Sequence, residues 1–131
     1  MAKILIVDDE LAVATVFETA LKNAGFDVKV SSDPQSGLAL AKAEHFDLLL
    51  IDQMMPQMSG NELLKTLKAD ESTKDLKIAM LTNFGHDTMV KEALYAGAAD
   101  YILKYQISTE DLIAKVKSLL GDSAGTSVPQ S

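Results

Sequence analysis

Three acidic residues directly follow two apolar runs of the sequence. Asp8 and Asp9, with Glu10 next to them, come after residues 3–7, and Asp52 comes after residues 47–51. If both runs are strands of one parallel sheet, their carboxyl ends meet at one edge and the three carboxylates converge there. Like charges so close repel one another and reduce stability unless a cation or a proton intervenes. A hard divalent ion such as Mg²⁺ fits this arrangement, because it keeps several waters and needs few protein carboxylates.

Asp8 and Asp9 also have a second interpretation. Acidic side chains at the start of a helix favour its dipole and can accept hydrogen bonds from its first N–H groups. A helical pattern begins shortly after Asp9. Taken alone, the pair is explained about equally well as a helix start and as part of a metal site.

A hydroxyl and an ammonium follow two further apolar runs. Thr82 comes after residues 76–81, and Lys104 comes after residues 100–103. An acyl phosphate on Asp52 would carry about two negative charges and three acceptor oxygens, so it would need donors as well as a cation. Neither residue is informative alone, since lysine is usually a solvated charge. Together, four of five predicted strands deliver a group of the needed type to one edge, which favours a phosphoryl-accepting site.

The apolar runs predict the strands that position these residues. The runs at 3–7, 47–51, 76–81 and 100–103 are short, and three of them are nearly continuous, as in parallel strands buried on both faces. A fifth run, 26–30, alternates more clearly and is expected at an edge of the sheet. Helix-period segments lie between the runs, which predicts right-handed crossovers with helices on both faces. The predicted fold is α/β, with a five-stranded, doubly wound parallel sheet.

Capping signals mark where several helices begin and end. Asp33 stands just before a proline, which suits an N-cap, and Ser59 with Glu62 matches a capping box. Ser108 has an acidic residue three positions on, in the same manner. Gly25 ends the first helical pattern, where a left-handed residue is cheapest.

Composition excludes several classes of protein. With 12 basic and 19 acidic side chains among 131 residues the net charge is -7. This sign disfavours contact with nucleic-acid phosphates or an anionic membrane, so no direct nucleic-acid binding by this domain is expected. Cysteine is absent, which fits a reducing compartment such as the cytoplasm. No apolar run approaches the roughly 20 residues of a membrane-spanning helix, and no signal peptide is recognisable.

The length fits one domain followed by a short polar segment. Residues 1–121 carry all the strand and helix patterns. Residues 122–131 are small and polar without an apolar period, which predicts a flexible tail or the beginning of a linker.

The segments ILIVDDE, LLLIDQMMPQMSG, IAMLTNF and GAADYILKY, in this order and spacing, resemble the receiver domain of bacterial two-component response regulators. The resemblance covers about the first 120 residues, and the spacing of the key residues makes it more specific than any single short motif. It implies a flavodoxin-like (βα)5 fold with strand order 2-1-3-4-5, like that of the chemotaxis regulators.

The resemblance also assigns the residues of a magnesium site. It implies that Asp9 and Asp52 ligate Mg²⁺ directly, together with the backbone carbonyl of Met54. Asp8 would act largely through water. Asp52 would be the phosphoacceptor, receiving its phosphoryl group from a histidine kinase or a histidine phosphotransfer protein.

A conformational switch is the function that the resemblance implies. Thr82 and Lys104 would bind the phosphoryl oxygens, and Tyr101 would change its exposure as Thr82 moves inward. The surface formed by residues 88–96 and 101–120 would then meet a partner or a second copy of the chain. No enzymatic turnover is expected beyond self-phosphorylation from small donors and autodephosphorylation.

Two positions depart from the usual pattern of this family. Tyr105 stands where a proline in a cis peptide bond is general, and a cis bond before another residue costs about 3–4 kcal/mol. The chain could therefore be trans here, with Lys104 displaced from the site. Asn83 follows Thr82 where a small residue is usual, so its side chain could narrow access to the phosphoryl group.

Three alternative functions compete with this one. A phosphorylation-independent interaction module of the same fold, a pseudo-receiver, is favoured by Tyr105 and Asn83 but disfavoured by the retained acids, threonine and lysine. A phosphatase with a covalent aspartyl phosphate would place its nucleophile after the first strand and carry a substrate cap, for which no segment is long enough. A flavin-binding protein would have a hydroxyl- and glycine-rich phosphate loop after the first strand, which is absent here.

Overall fold

The computed structural model describes residues 2–83 and 87–121, in which five strands alternate with five helices. The strands are β1 (Lys3–Val7), β2 (Asp27–Ser31), β3 (Leu48–Asp52), β4 (Ile78–Thr82) and β5 (Asp100–Leu103). The helices are α1 (Leu11–Asn23), α2 (Pro34–Ala43), α3 (Gly60–Ala69), α4 (Asp87–Tyr95) and α5 (Thr109–Leu120). Alternation of this kind requires crossovers that cover both faces of the sheet.

All the strand pairs are parallel, in the order β2-β1-β3-β4-β5. The predicted fold class and strand order are confirmed. The expected bounds of β1 and β5 match those of the structure, whereas β2 and β3 lie one residue further along, and β4 begins two residues later and ends one residue later than expected. As a result Asp52 and Thr82 are the last residues of their strands and do not follow them.

The chain order of the strands reverses direction at β1. Strand β2 pairs with one side of β1 and β3 with the other, so a crevice lies beyond the carboxyl ends of β1 and β3. The register aligns those ends, because Val7 lies opposite Ile51 and Asp52 lies opposite Leu81. Side chains at the ends of neighbouring strands therefore point into one crevice.

Two apolar layers, one on each face of the sheet, hold this edge in place. Alternate residues of β1 enter different layers, with Ile4 and Ile6 on one face and Leu5 and Val7 on the other. Helices α1 and α5 cover the first face, while α2 and α3 cover the second. Each fully buried Leu or Ile contributes about 1.5–3 kcal/mol of transfer free energy. The sheet is therefore a rigid support for groups at its rim.

The helices begin where the capping signals indicated. Asp33, Ser59 and Ser108 each accept a hydrogen bond from the backbone N–H three residues on. Ser59 and Glu62 form both bonds of a capping box, and Gly25 has φ +100° just after α1. Such caps typically stabilise a protein by about 1 kcal/mol each.

Among residues 2–83 and 87–121, no helix has the length and apolar character needed to cross a bilayer. The predicted tail, residues 122–131, lies outside the described residues.

Candidate functional site

Four polar side chains lie at the carboxyl edge of the sheet, and each is buried. Asp52 ends β3 and Thr82 ends β4, while Asp8 and Lys104 directly follow β1 and β5. Their relative exposures are 3% for Asp52, 1% for Thr82, 0% for Asp8 and 4% for Lys104. Charged groups are seldom buried to this degree unless they are paired.

Lys104 is the centre of the charged cluster. Its Nζ lies 3.1 Å from Asp8 Oδ2, 3.4 Å from Asp52 Oδ2, and in direct contact with Glu10 Oε1. One ammonium thus faces three carboxylates. The cluster keeps an excess of negative charge next to Asp52.

These charges perturb the titration of both buried partners. Burial raises the pKa of Asp52 from its ordinary 3.8 to about 7, and the neighbouring charge of Asp8 adds to the effect, while Lys104 opposes it. For Lys104, burial acts against the charged form, but its hydrogen bonds to Glu10 and Asp8 outweigh that and raise its pKa. A carboxyl group that is difficult to ionise beside another carboxylate favours a bound cation.

The carboxylates of Asp8, Glu10 and Asp52 can fit a metal ion. One oxygen from each lies within 4.8 Å of the others. Asp8 Oδ2 is buried and accepts no well-formed hydrogen bond from the described residues, although Lys104 is nearby. A buried carboxylate oxygen without a hydrogen bond, among other hard oxygen donors, suits Mg²⁺. This acidic cluster could therefore bind Mg²⁺.

The placement of the acids differs from the expected ligand set. Asp9 is exposed and lies outside the group of three carboxylates, whereas Glu10 lies within it. Asp8 Oδ1 accepts a hydrogen bond of 2.9 Å from the Glu10 N–H, just before α1 begins. Asp8 therefore serves the helix start as well as the cluster, so the two sequence interpretations are not exclusive. No sequence pattern singles out Glu10, because the hydrogen bonds to its side chain come from residues more than ninety positions away.

The turn after β3 contributes a backbone hydrogen bond to the Asp52 carboxylate. The Met54 N–H donates to Asp52 Oδ1 at 3.3 Å, and Met55 is buried in the core beneath the turn. A Cβ on Gly60 would lie 2.2 Å from the Asp52 carbonyl oxygen, so only glycine permits this approach of α3. The carbonyl of Met54 as a metal ligand stays a prediction.

Thr82 and Asn83 form the next part of the rim. Thr82 Oγ1 donates to the Asn83 carbonyl at 3.2 Å, and the Lys104 N–H donates to the Thr82 carbonyl at 2.9 Å. Asn83 Oδ1 is buried and accepts no hydrogen bond from the described residues. Tyr101 lies on β5 with 38% exposure, and Lys115 Nζ is 6.0 Å from its ring centre.

Tyr105 does not displace Lys104 from the site. The peptide bond between them is trans, and the Lys104 ammonium remains in the cluster. The Tyr105 hydroxyl donates to Glu10 Oε2, while Lys104 contacts the other oxygen of the same carboxylate. These contacts lower the pKa of Glu10, through the Lys104 hydrogen bond first and that of Tyr105 second.

A chain of polar side chains connects the end of β3 to α4. Gln53, which follows Asp52, is fully buried and donates to Asn61 Oδ1 at 3.3 Å. The Asn61 amide donates to Glu92 Oε1 at 2.9 Å and to the Met89 carbonyl at 3.2 Å. Buried hydrogen bonds of this kind favour one position of a helix over its alternatives.

Most of the chain, including the charged cluster, matches a known family of protein domains. Residues 4–117 match the family model described as the response regulator receiver domain. The match covers the sheet apart from Lys3, and every residue of the charged cluster.

Two curated relatives show similarity over nearly all of the chain. It is 39% identical over 117 residues to the phosphate regulon transcriptional regulatory protein PhoB of Pseudomonas aeruginosa, which covers 89% of this chain and 51% of that protein. It is 35% identical over 120 residues to the DNA-binding dual master transcriptional regulator RpaA of Synechocystis, covering 92% and 49%. The chain thus spans about half the length of the curated relatives it matches.

Solved structures of similar proteins share the whole fold. A CheY-like response regulator receiver domain protein from Methanospirillum hungatei superposes with a TM-score of 0.85 at 30% identity, covering 97% of this chain and 99% of that one. A chemotaxis response regulator of Vibrio cholerae gives 0.84 at 28% identity, covering 91% and 98%.

Proposed function

The chain belongs to the response regulator receiver family, and we propose that it is a phosphorylation-controlled switch in which Asp52 is the phosphoacceptor. The observation that carries this proposal is the position of Asp52 at the switch point of the sheet, buried beside Asp8 and within 3.4 Å of the Lys104 ammonium. A histidine kinase or a histidine phosphotransfer protein would be the donor. Receiver domains are signalling domains, and only self-phosphorylation and autodephosphorylation are proposed as chemistry of this chain.

The phosphoryl transfer that we propose needs positioning more than covalent assistance. An Asp52 carboxylate oxygen attacks phosphorus in line with the leaving group. The bond from phosphorus to the donor nitrogen or oxygen breaks, and its electron pair leaves with the donor. Lys104 then donates to the phosphoryl oxygens, with the Thr82 hydroxyl as a second donor.

Asp8, Glu10 and Asp52 are the groups that could hold Mg²⁺ in the unphosphorylated protein, and Asp9 with the Met54 carbonyl are the further ligands that the family resemblance supplies. Bound Mg²⁺ would neutralise charge as the phosphoryl group arrives. Asp9 is exposed at the start of α1, so a change in its rotamer could bring it to the ion.

The proposed output is a change of the surface formed by α4, β5 and α5. Attraction of Thr82 towards the phosphoryl group would vacate space that the half-exposed Tyr101 ring can enter. That surface carries Leu94 and Tyr95, exposed by 41% and 96%. We propose that it meets a partner or a second copy of the chain in the phosphorylated state.

The relatives named as transcriptional regulators are about twice as long as this chain. We propose that residues 1–121 form the receiver and that 122–131 form a flexible tail or the beginning of a linker. We propose a cytoplasmic receiver, which the absence of cysteine supports, and one that does not itself contact nucleic acid, which the net charge of -7 supports.

Labelling with a small phosphodonor tests the proposed function. The full chain is incubated with Mg²⁺ and acetyl phosphate, and its intact mass is compared with that of Asp52→Asn. We expect one added phosphoryl group on the wild type, none on the variant, and none when Mg²⁺ is chelated. An unlabelled wild type that also fails to bind Mg²⁺ would indicate a phosphorylation-independent interaction module.

A further inference from the structure

Glu10 spans the mouth of the site and uses both of its carboxylate oxygens. Oε1 accepts a hydrogen bond from Lys104 Nζ, and Oε2 accepts one from the Tyr105 hydroxyl. Glu10 precedes α1, whereas Lys104 and Tyr105 directly follow β5. We call this set of contacts, which joins Glu10 to Lys104 and Tyr105, the Glu10 clasp.

An exposed ion pair would by itself contribute little to stability. The Glu10 side chain is indeed 43% exposed, but the Lys104 side chain is only 1% exposed. The same ammonium lies 3.1 Å from Asp8 and 3.4 Å from Asp52. The clasp and the buried cluster therefore have the Lys104 ammonium in common. A change in the clasp changes how strongly that ammonium interacts with Asp8 and Asp52.

Lys104 cannot serve its present partners and a phosphoryl group equally well. An ammonium has three N–H donors, and in this structure they face Asp8, Glu10 and Asp52. A phosphoryl group on Asp52 would add about two negative charges and three acceptor oxygens beside the same ammonium. Repulsion between that group and the Glu10 carboxylate would then act against both the clasp and the phosphorylated state.

We propose that Glu10 and Tyr105 are positioning residues of the phosphotransfer site. Tyr105 tethers Glu10, and Glu10 holds Lys104 in the unphosphorylated arrangement. Lys104 binds the phosphoryl oxygens only when Glu10 releases it, so the clasp slows phosphorylation. This inference rests on the proposed function of Asp52 and adds to it a control over the same site.

Two conservative substitutions separate the parts of the clasp. Tyr105→Phe keeps the ring, whose centre is 5.8 Å from Lys104 Nζ, and removes only the tether. Glu10→Gln keeps an acceptor and removes the charge.

Ser72→Ala is the control for loss of a hydroxyl that donates to a carboxylate, because Ser72 is exposed, donates to Asp70 Oδ1 at 2.7 Å, and lies outside both the charged cluster and the surface of α4, β5 and α5. Glu71→Gln, at an exposed position that pairs with Lys74, is the control for loss of a carboxylate.

The first measurement is the initial rate of phosphorylation by acetyl phosphate. In this reaction the bond between the acetyl oxygen and phosphorus breaks, acetate leaves, and the Asp52 oxygen bonds to phosphorus. Mg²⁺ is kept at a concentration that is saturating for each variant, so that altered metal affinity does not enter the rate. We expect Tyr105→Phe and Glu10→Gln to react about three- to tenfold faster than wild type, which is the effect of losing one hydrogen bond of ordinary strength, because Glu10 is partly exposed. Both controls should react at the wild-type rate.

Unchanged or lower rates in both clasp variants, with a wild type that is labelled, would overturn the clasp while the proposed function stands. A wild type that is not labelled at Asp52 would overturn both. A rate for Glu10→Gln that falls at saturating Mg²⁺ would show that Glu10 assists the transfer, which contradicts its role in the clasp.

A second measurement tests the clasp without any phosphoryl group. Urea unfolding midpoints are compared for wild type, Tyr105→Phe, Glu10→Gln and the double variant. Residues in direct contact give shifts that do not add. We expect the double variant to shift by clearly less than the sum of the two single shifts. Additive shifts would overturn the clasp whatever the labelling rates are.

Discussion

At the scale of single residues, the site is defined by an imbalance of charge. The ammonium of Lys104 faces the carboxylates of Asp8, Glu10 and Asp52, and burial makes each unpaired charge costly. A proton on Asp52 or a divalent cation relieves the imbalance. The two remedies compete, so the stability of the unphosphorylated protein should depend on both pH and Mg²⁺.

The first prediction concerns the pH dependence of stability. The pKa of Asp52 rises from 3.8 to about 7 on folding, mainly through burial. The native state therefore holds a proton that the unfolded state releases, and the free energy of unfolding falls as pH rises towards and through about 7. We expect Asp52→Asn to be about 1–3 kcal/mol more stable than wild type at pH 8, with the difference shrinking towards about pH 5.

Urea unfolding with and without Mg²⁺ measures this effect. Mg²⁺ at pH 8 should stabilise the wild type and leave Asp52→Asn nearly unchanged. Asp27→Asn, at an exposed position of β2, is the control. A difference between wild type and Asp52→Asn that is the same at pH 5 and pH 8 would contradict the electrostatic account.

Asn83 carries the second prediction at this scale. Its side chain adjoins Thr82 at the rim, and its Oδ1 is buried without a hydrogen bond from the described residues. We expect Asn83→Ala to widen access, so that labelling by acetyl phosphate and hydrolysis of the acyl phosphate both become a few times faster. Equal rates in wild type and variant for both reactions would refute this expectation.

At this scale, the sequence predicted some residues of the site but not all of them. Types and spacing predicted that Asp8, Asp52, Thr82 and Lys104 lie at one edge, because strand ends can be located from apolar runs. The role of Glu10 could not be predicted, since its partners lie 94 and 95 positions away along the chain. Side-chain rotamers determine which of several adjacent acidic residues points into the crevice, and the hydrophobic pattern of a sequence does not predict rotamers.

At the scale of elements, the positions of the helices determine which side chains lie near the ends of the strands. The capping signals at Asp33 and Ser59 were sufficient to locate the starts of α2 and α3. Strand bounds were predicted to within one or two residues. The hydrogen-bonded connection from Gln53 through Asn61 to α4 was not predictable, because it depends on how α3 and α4 pack together.

The third prediction tests that connection between α3 and α4. Asn61→Ala removes the bonds to Met89 and Glu92 and leaves the buried Gln53 amide without its acceptor. Leaving a buried polar group unpaired typically costs about 1–3 kcal/mol, and we expect a loss of this size in the free energy of unfolding. Asn23→Ala, at the exposed end of α1, should change stability by less than about 0.5 kcal/mol. Equal unfolding free energies for the two variants would mean that the hydrogen bonds of Asn61 contribute no stability.

At the scale of the whole molecule, one rigid sheet connects the charged cluster to the surface of α4, β5 and α5. A shift of the equilibrium from 1:99 to 99:1 requires about 5.5 kcal/mol of differential stabilisation. Several charge-assisted hydrogen bonds to a phosphoryl group are of that order, since each contributes about 1.5–3 kcal/mol. The proposed phosphorylation of Asp52 would therefore supply enough free energy to change that surface.

The fourth prediction locates that change. Amide hydrogen exchange in the presence of Mg²⁺ and acetyl phosphate should differ from that of the unphosphorylated protein in residues 88–96 and 101–120, and little in α2. Thr82→Ala should accept the phosphoryl group but show a weaker exchange response, because it lacks the hydroxyl that we propose couples the site to Tyr101. Superimposable exchange patterns for the phosphorylated and unphosphorylated wild type would contradict the switch.

The central claim is that Asp52, and no other acid of the cluster, accepts the phosphoryl group. Borohydride reduces an acyl phosphate to an alcohol, so treatment of the labelled protein converts the phosphorylated aspartate to homoserine. Peptide mass mapping then identifies its position. We predict homoserine at position 52 only, dependent on Mg²⁺ and on the phosphodonor. Homoserine at position 8 or 9, 5-hydroxynorvaline at position 10, or no reduced residue under conditions where Mg²⁺ is bound would contradict the account.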